Sequence, residues 1–325
     1  MIASRFIEPL DVLFIRGNRL FGEAGGHGHA IMPPWPSVFA GALRSAIVAG
    51  SDETLRAMSD KQAPANAVTA CVGTAEQPGS FRLARVALAR RTESGTAPLL
   101  PQPADLSVVD GDDGNRTADL LQPQPLPDGV AASQASASLP LLRRAGQHKP
   151  STGWWLEPNG LAQYLAGHTP GPETLIHAHD LWQVDPRLGI ALQSRTGTTV
   201  EGALYTSEAV ALRQDVGFAV GVEGADAHLP AATTLRLGGD GRAARMLPAD
   251  VPWPEPDYEA LARAGRFRIV LMTPGLFDSG WRLPGQDSDG RFELDDIAGR
   301  VAAAAVGRPE VISGWDLLNW RPKPA

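Results

Sequence analysis

Val38, Phe39, Ala42, Leu43, Ala46 and Ile47 recur at helical spacing, which predicts a helix over residues 37–49 with one continuous apolar face. Pro33, Pro34 and Pro36 stiffen the approach, and Ser37 can accept from the first free amides as an N-cap. The opposite face carries Ser37, Ala40, Gly41 and Arg44 at i, i+3, i+4 and i+7. Small residues beside a guanidinium fit two uses. One is close packing against a neighbouring strand, the other a seat for a nucleic-acid backbone at a helix N-terminus.

Before this helix, residues 6–16 read as a strand. Its second half, Val12-Leu13-Phe14-Ile15, is apolar on both faces and therefore central in a sheet. Residues 17–30 form a Gly-rich loop. After the helix, residues 68–72 and 81–89 read as two strands joined by a turn at Gln77-Pro78-Gly79. Periodicity then disappears over residues 92–150, as in a long, mobile insertion. It returns with Trp154-Trp155, a helix at 159–166 and a strand at 188–192. Residues 199–222 alternate like an antiparallel hairpin turning at Glu201-Gly202, and residues 237–242 form a Gly-rich turn.

Pro248, Pro252, Pro254 and Pro256 mark a stiff linker and the expected domain boundary. Beyond it, residues 266–277 read as a strand with an internal proline, and 301–306 as a second apolar run. The order Arg266-Phe267 to Pro274 echoes Arg5-Phe6 to Pro9, a hint of two copies of one small α+β unit.

Composition narrows the class. Across 325 residues, 43% hydrophobic and 20% charged describe a globular chain, while 28 Pro and 35 Gly favour loops over a helical bundle. A net charge of −7 argues against indiscriminate nucleic-acid binding but leaves room for a local basic groove. The arginine clusters at 82, 85, 90 and 91 and at 143 and 144 read as solvated surface. Cys71 is the only cysteine, so neither an internal disulfide nor a multi-cysteine metal site can form, which fits a cytoplasmic protein. No signal-peptide pattern and no bilayer-length apolar run is present, so no membrane partner is expected.

Three chemistries fit the remaining residues. His27 with His29 and His177 with His179 share the H-x-H spacing, yet no further His, Asp or Glu cluster has ligand spacing, so no metal is assigned. A metal-independent ribonuclease could use His27 or His29 as a general base, with Arg16, Arg19 or Arg44 stabilising the phosphorane. A binding module needs arginines and Gly-rich loops near a sheet of ferredoxin or RNA-recognition type, and the loops at 17–29, 195–202 and 238–245 supply them. Arg195, Thr196, Thr198 and Thr199 suit phosphates, and they equally suit an ordinary hairpin tip. No P-loop, nucleophile elbow or dinucleotide-binding fingerprint occurs.

A resemblance adds to this reading. Glu8-Pro9-Leu10-Asp11-Val12-Leu13-Phe14-Ile15-Arg16, the Pro-Pro-Trp-Pro-Ser to Gly-Ala-Leu-Arg-Ser stretch at 33–45, and Pro98-Leu99-Leu100-Pro101-Gln102-Pro103 appear in one order. Arg187-Leu188-Gly189-Ile190, Glu201-Gly202-Ala203-Leu204-Tyr205, Leu237 to Arg242, Leu271 to Phe277, Ser313-Gly314-Trp315-Asp316 and Pro322-Lys323-Pro324 follow. In this order they resemble the third-subunit family of the Cmr complex, the type III-B CRISPR effector, within the repeat-associated mysterious protein (RAMP) superfamily.

The resemblance implies an α+β fold of two ferredoxin-like (RRM-like) domains with long loop insertions. The first would span 1–250, with the insertion at about 92–150, and the second 251–325. Members usually continue past the Pro-Lys-Pro segment, so the second domain is expected to be incomplete at its C-terminus. The resemblance further implies a subunit that does not cut RNA and needs no cofactor. It would grip the 5′ handle of CRISPR RNA and contact the large polymerase-like subunit and the backbone subunit. The implied RNA contacts are Arg16, Asn18 and Arg19 in the first loop and Ser37, Gly41 and Arg44 on the helix. Arg195, Thr196, Thr198 and Tyr205 follow in the hairpin, then Gly238, Gly239 and Arg242 in the Gly-rich turn. The alternative is an RNA-processing endoribonuclease of the same superfamily.

Overall fold

The computed structural model describes residues 2–15, 27–60, 62–74, 76–111, 115–126, 128–129, 138–141, 149–294, 297–308, 315–316 and 321–322. The fold is mixed α/β, with a large antiparallel sheet and few helices. The chain forms two compact units, one of 1–99, 178–253 and 312–325, the other of 100–177 and 254–311.

In chain order, the first unit begins with β1 (Ala3–Pro9), the short β2 (His27–Gly28), α1 (Pro36–Ala49), α2 (Asp52–Ser59) and α3 (Ala67–Val72). β3 (Arg82–Thr92) and β4 (Gly95–Pro101) follow, and β4 leads into the second unit. That unit holds β5 (Leu106–Asp110), β6 (Arg116–Leu120), β7 (Gln122–Pro125), β8 (Ser138–Leu141), β9 (Trp154–Leu156), α4 (Pro158–Leu165) and β10 (Leu175–His177). The chain returns to the first unit with β11 (Trp182–Leu192), β12 (Thr199–Leu212), β13 (Val216–Glu223), β14 (Thr233–Arg236) and β15 (Ala243–Pro248). α5 (Tyr258–Ala264), β16 (Arg291–Leu294) and β17 (Ile297–Arg300) complete the second unit, and β18 (Trp315–Asp316) and β19 (Arg321–Pro322) the first.

In the first unit the antiparallel order is β4-β3-β13-β1-β15-β14, with β13 inserted between β1 and β3, which α1 connects. α1 matches its predicted span. It buries Phe39, Ala42, Leu43, Ile47 and Val48, and Phe39 meets Phe218 of β13 edge to face at 5.0 Å between ring centres. The expected Ser37 cap is not made: the helix starts at Pro36, whose fixed φ suits the first turn, and no side chain caps it.

Several expectations change. Residues 67–72 are helical because the Asn66 side chain accepts from Thr69 N–H, a cap that outweighs the β-branched residues. The strand predicted at 6–16 ends at Pro9, and Leu13 then forms a separate bridge to Val210. The hairpin is β11–β12, with its tip at 193–198, and β13 leaves for another sheet. Glu201-Gly202 lies at a register shift of that hairpin, with Gly202 at φ 74°, a bulge rather than a turn. Residues 266–277 and 301–306 form no strand. Much of the predicted insertion is ordered instead, as the hairpin β5–β6 and the pair β7–β8. Residues 130–137 and 142–148, including Arg143 and Arg144, lie outside the described residues.

The second unit has its own core of Leu100, Leu106, Val108, Leu120, Trp154, Leu156, Leu161, Tyr164 and Leu175. Val270 packs on it from the 254–311 segment, which Arg268 also anchors through Asp105 at 3.2 Å. Tyr164 donates to the same carboxylate at 2.8 Å, and burial, followed by Asp105, pushes its phenol well above the usual range.

Candidate nucleic-acid interface

The described residues among the implied RNA contacts all belong to the first unit. Arg16, Asn18 and Arg19 lie outside the described residues, but the neck of their loop is closed, because Ile31 N–H donates to Ile15 C=O at 3.0 Å. β2 then runs parallel to β12 at Thr206 and Ser207.

Phe14 is the hub of this end. The Gly-rich turn between β14 and β15 docks on it, with Gly239 N–H donating to Phe14 C=O at 2.7 Å. A Cβ on Gly238 would meet the same oxygen at 2.7 Å, and Gly238 has φ 78°, so both sterics and backbone call for glycine there. Arg242 donates to Asp11 at 2.6 Å and lies 5.1 Å from the centre of the Phe14 ring. Arg187 of β11 lies 5.6 Å from that ring and pairs with Asp185 at 3.0 Å. Both guanidiniums are thus matched by protein carboxylates.

The hairpin carries the rest of this group. Gly189 faces Tyr205 in register, and a Cβ on Gly189 would fall 2.3 Å from the tyrosine ring, so the ring lies across a glycine floor. At the tip, Thr196 donates to Gln193 at 3.1 Å and shares a 2.7 Å hydrogen bond with Thr198, while Arg195 is exposed. Leu188 (69% exposed), Ile190, Leu192 and Leu204 also face outward along the hairpin.

The α1 residues divide. Ser37 and Gly41 are exposed, and a Cβ on Gly41 would meet nothing within 4 Å, so this face is not packed against a strand among the described residues. Arg44 stands elsewhere: its guanidinium lies 4.8 Å from the Phe81 ring centre, beside buried Cys71, whose thiol burial pushes up. Phe81 precedes Arg82, which pairs with Glu223 at the end of β13, whereas Arg242 precedes the Ala243–Ala244 segment beside Pro9, towards the start of β13. That strand has eight residues and spans roughly 25 Å, so Arg44 and Arg242 lie towards its opposite ends.

The described candidate histidines have different partners. His29 Nδ1 lies 3.2 Å from Glu208, whose carboxyl the Ala30 N–H and then His29 hold below its ordinary range. His177 packs edge-on to Trp154 at 4.8 Å, and His179 pairs with Asp180 at 3.2 Å. Among the described residues no group of three or more His, Cys, Asp or Glu could hold a metal. No helix among them is long and apolar enough to cross a membrane.

Phe14, Arg187 and Asp11 were not singled out as site residues from sequence. Pro186 interrupts the alternation around Arg187, and Phe14 reads as an ordinary core position; their placement comes from the Gly238–Gly239 dock.

A family model of CRISPR-associated proteins, Cas_Cmr3, matches residues 5–325. No curated protein matches the sequence. Among solved structures, a chain from the type III-B Cmr-beta complex bound to cognate target RNA is 14% identical at a TM-score of 0.47, with 98% of this chain and 81% of that chain covered. A chain from the same complex bound to cognate target RNA and AMPPnP, state 1, is 14% identical at a TM-score of 0.38, with 76% of this chain covered and 63% of that chain's length spanned. By the family match over nearly its whole length, the chain belongs to the Cmr3 family of CRISPR-associated proteins.

Proposed function

We propose that this chain is the Cmr3 subunit of a cytoplasmic type III-B CRISPR effector. There it binds the 5′ repeat-derived handle of CRISPR RNA and links the large polymerase-like subunit to the backbone subunit, without cutting RNA itself. Family membership over residues 5–325 carries this reading. The fold reading that accompanies it is two ferredoxin-like domains. The strand order β15-β1-β13-β3 with α1 as crossover supports it for the first unit.

Handle contacts are proposed at the Phe14 end, at the start of α1, the hairpin from Arg195 to Tyr205 and the Gly238–Arg242 turn, and also at Arg16, Asn18 and Arg19. There a Gly-rich loop neck, an exposed helix start and an arginine-bearing hairpin tip come from one unit. Arg44 is proposed as a separate contact.

The test is co-purification. Tagged chain expressed with the other Cmr subunits and a CRISPR array is expected to bring down both those subunits and CRISPR RNA. A chain that elutes without them contradicts the proposal. Cleavage of repeat RNA in metal-free buffer, abolished by replacing His27 and His29 with alanine, would overturn its non-catalytic part.

A further inference from the structure

The first-unit sheet has a second face, away from α1, and its middle is floored by small residues. Gly221 faces Arg85 and Ser4, Ala219 faces Ala87 and Phe6, and Gly217 faces Ala89 across the strands. A Cβ on Gly217 would fall 2.5 Å from the Phe6 ring, so the ring lies over this glycine. Arg91 stands 5.3 Å from the ring centre of Phe6. An aromatic ring on a sheet, flanked by guanidiniums, is the surface on which bases of single-stranded RNA stack.

Here the chain covers that surface itself. Val251 is buried in one cluster with Phe6, Ala89 and Ala219, and Ala249 and Trp253 pack against it. The Trp253 indole N–H donates to Ser4 Oγ at 3.0 Å, and the Arg85 guanidinium lies 5.9 Å from the indole ring. An indole that stacks near an arginine and donates one hydrogen bond to a sheet hydroxyl occupies the place of a base. The prolines that read as a stiff linker thus lie in and beside a docked strap.

We propose that residues 249–253 form an intramolecular strap that closes this sheet face to single-stranded RNA. The strap is independent of which RNA the loops hold. Its release uncovers Phe6 and Arg85 together.

The experiment compares fluorescein-labelled oligouridine binding by the full chain and by V251S/W253S, with folding of each checked by circular dichroism. The expected result is about fivefold or tighter binding by the variant, reversed when Arg85→Ala is added. A folded variant with unchanged affinity overturns the proposal. If the variant does not fold, crosslinking of the unaltered chain to 4-thiouridine RNA decides: no adducts on 85–89 or 217–221 are expected, and adducts there contradict it. Oligouridine lacks a handle sequence, so failure of handle binding leaves this outcome readable.

Discussion

Arg242 donates to Asp11 at 2.6 Å, joining residues 231 positions apart at the point where the Gly-rich turn meets the segment after β1. An arginine that sequence alone offers to RNA is therefore first a fastener of its own loop. The pair is partly exposed, 25% at Arg242 and 58% at Asp11. A double-mutant cycle of Asp11→Asn and Arg242→Gln is expected to give a coupling of about 0.5–1 kcal/mol in denaturant unfolding, shrinking with salt. A coupling of zero would remove the fastening role.

Gly238 combines φ 78° with a backbone oxygen where its Cβ would go. Gly238→Ala is expected to destabilise the first unit by about 1–3 kcal/mol, whereas Gly41→Ala, in open space on an exposed helix, should be neutral or stabilising by up to about 1 kcal/mol. Urea unfolding of both variants checks the contrast.

Glu8 on β1 is held by Arg245 at 2.7 Å, from the neighbouring β15, and by Arg91 at 2.9 Å, from β3 beyond β13. Burial alone would raise its pKa, but the hydrogen bonds and charges of the two arginines outweigh burial and hold it below the usual carboxylate range. A depressed folded-state pKa contributes stability above the unfolded value that is lost as pH falls through the folded one. Glu8→Gln should therefore cost about 1 kcal/mol at neutral pH and progressively less below about pH 4. Equal losses at both pH values would contradict the assignment.

In the second unit, Asp105 receives both Tyr164 and Arg268. Arg268→Ala removes the anchor of the 266–270 segment and is expected to speed its cleavage by trypsin or chymotrypsin in limited proteolysis. Tyr164→Phe should cost about 1 kcal/mol without exposing that segment. Cleavage unaffected by Arg268→Ala would mean that Val270 packing alone holds the segment.

Much of this arrangement was legible in the sequence where one periodicity ruled. The α1 face, the β3 run and the 237–242 turn each had an unmixed signal, and the structure carries them. The hairpin is not legible because Glu201-Gly202 resembles a turn while serving as a bulge, and because Pro186 hides the first half of β11. Asp215, at φ 60°, sends the chain from the hairpin into the main sheet, a change of partner that alternation cannot encode. The Phe14 hub was illegible for the same reason: Asp11, Arg187, Gly239 and Arg242 meet only through long-range docking.

The proposed recognition of the CRISPR RNA handle can be measured on the assembled complex. The most direct measurement is the salt-dependent affinity of the reconstituted complex for CRISPR RNA carrying its own 5′ handle and for the same RNA with the handle scrambled. Markedly tighter binding to the native handle is expected, with Arg195→Ala lowering the slope of log K against log salt by about one. Equal affinity for both RNAs, and a slope untouched by Arg195→Ala, would contradict it.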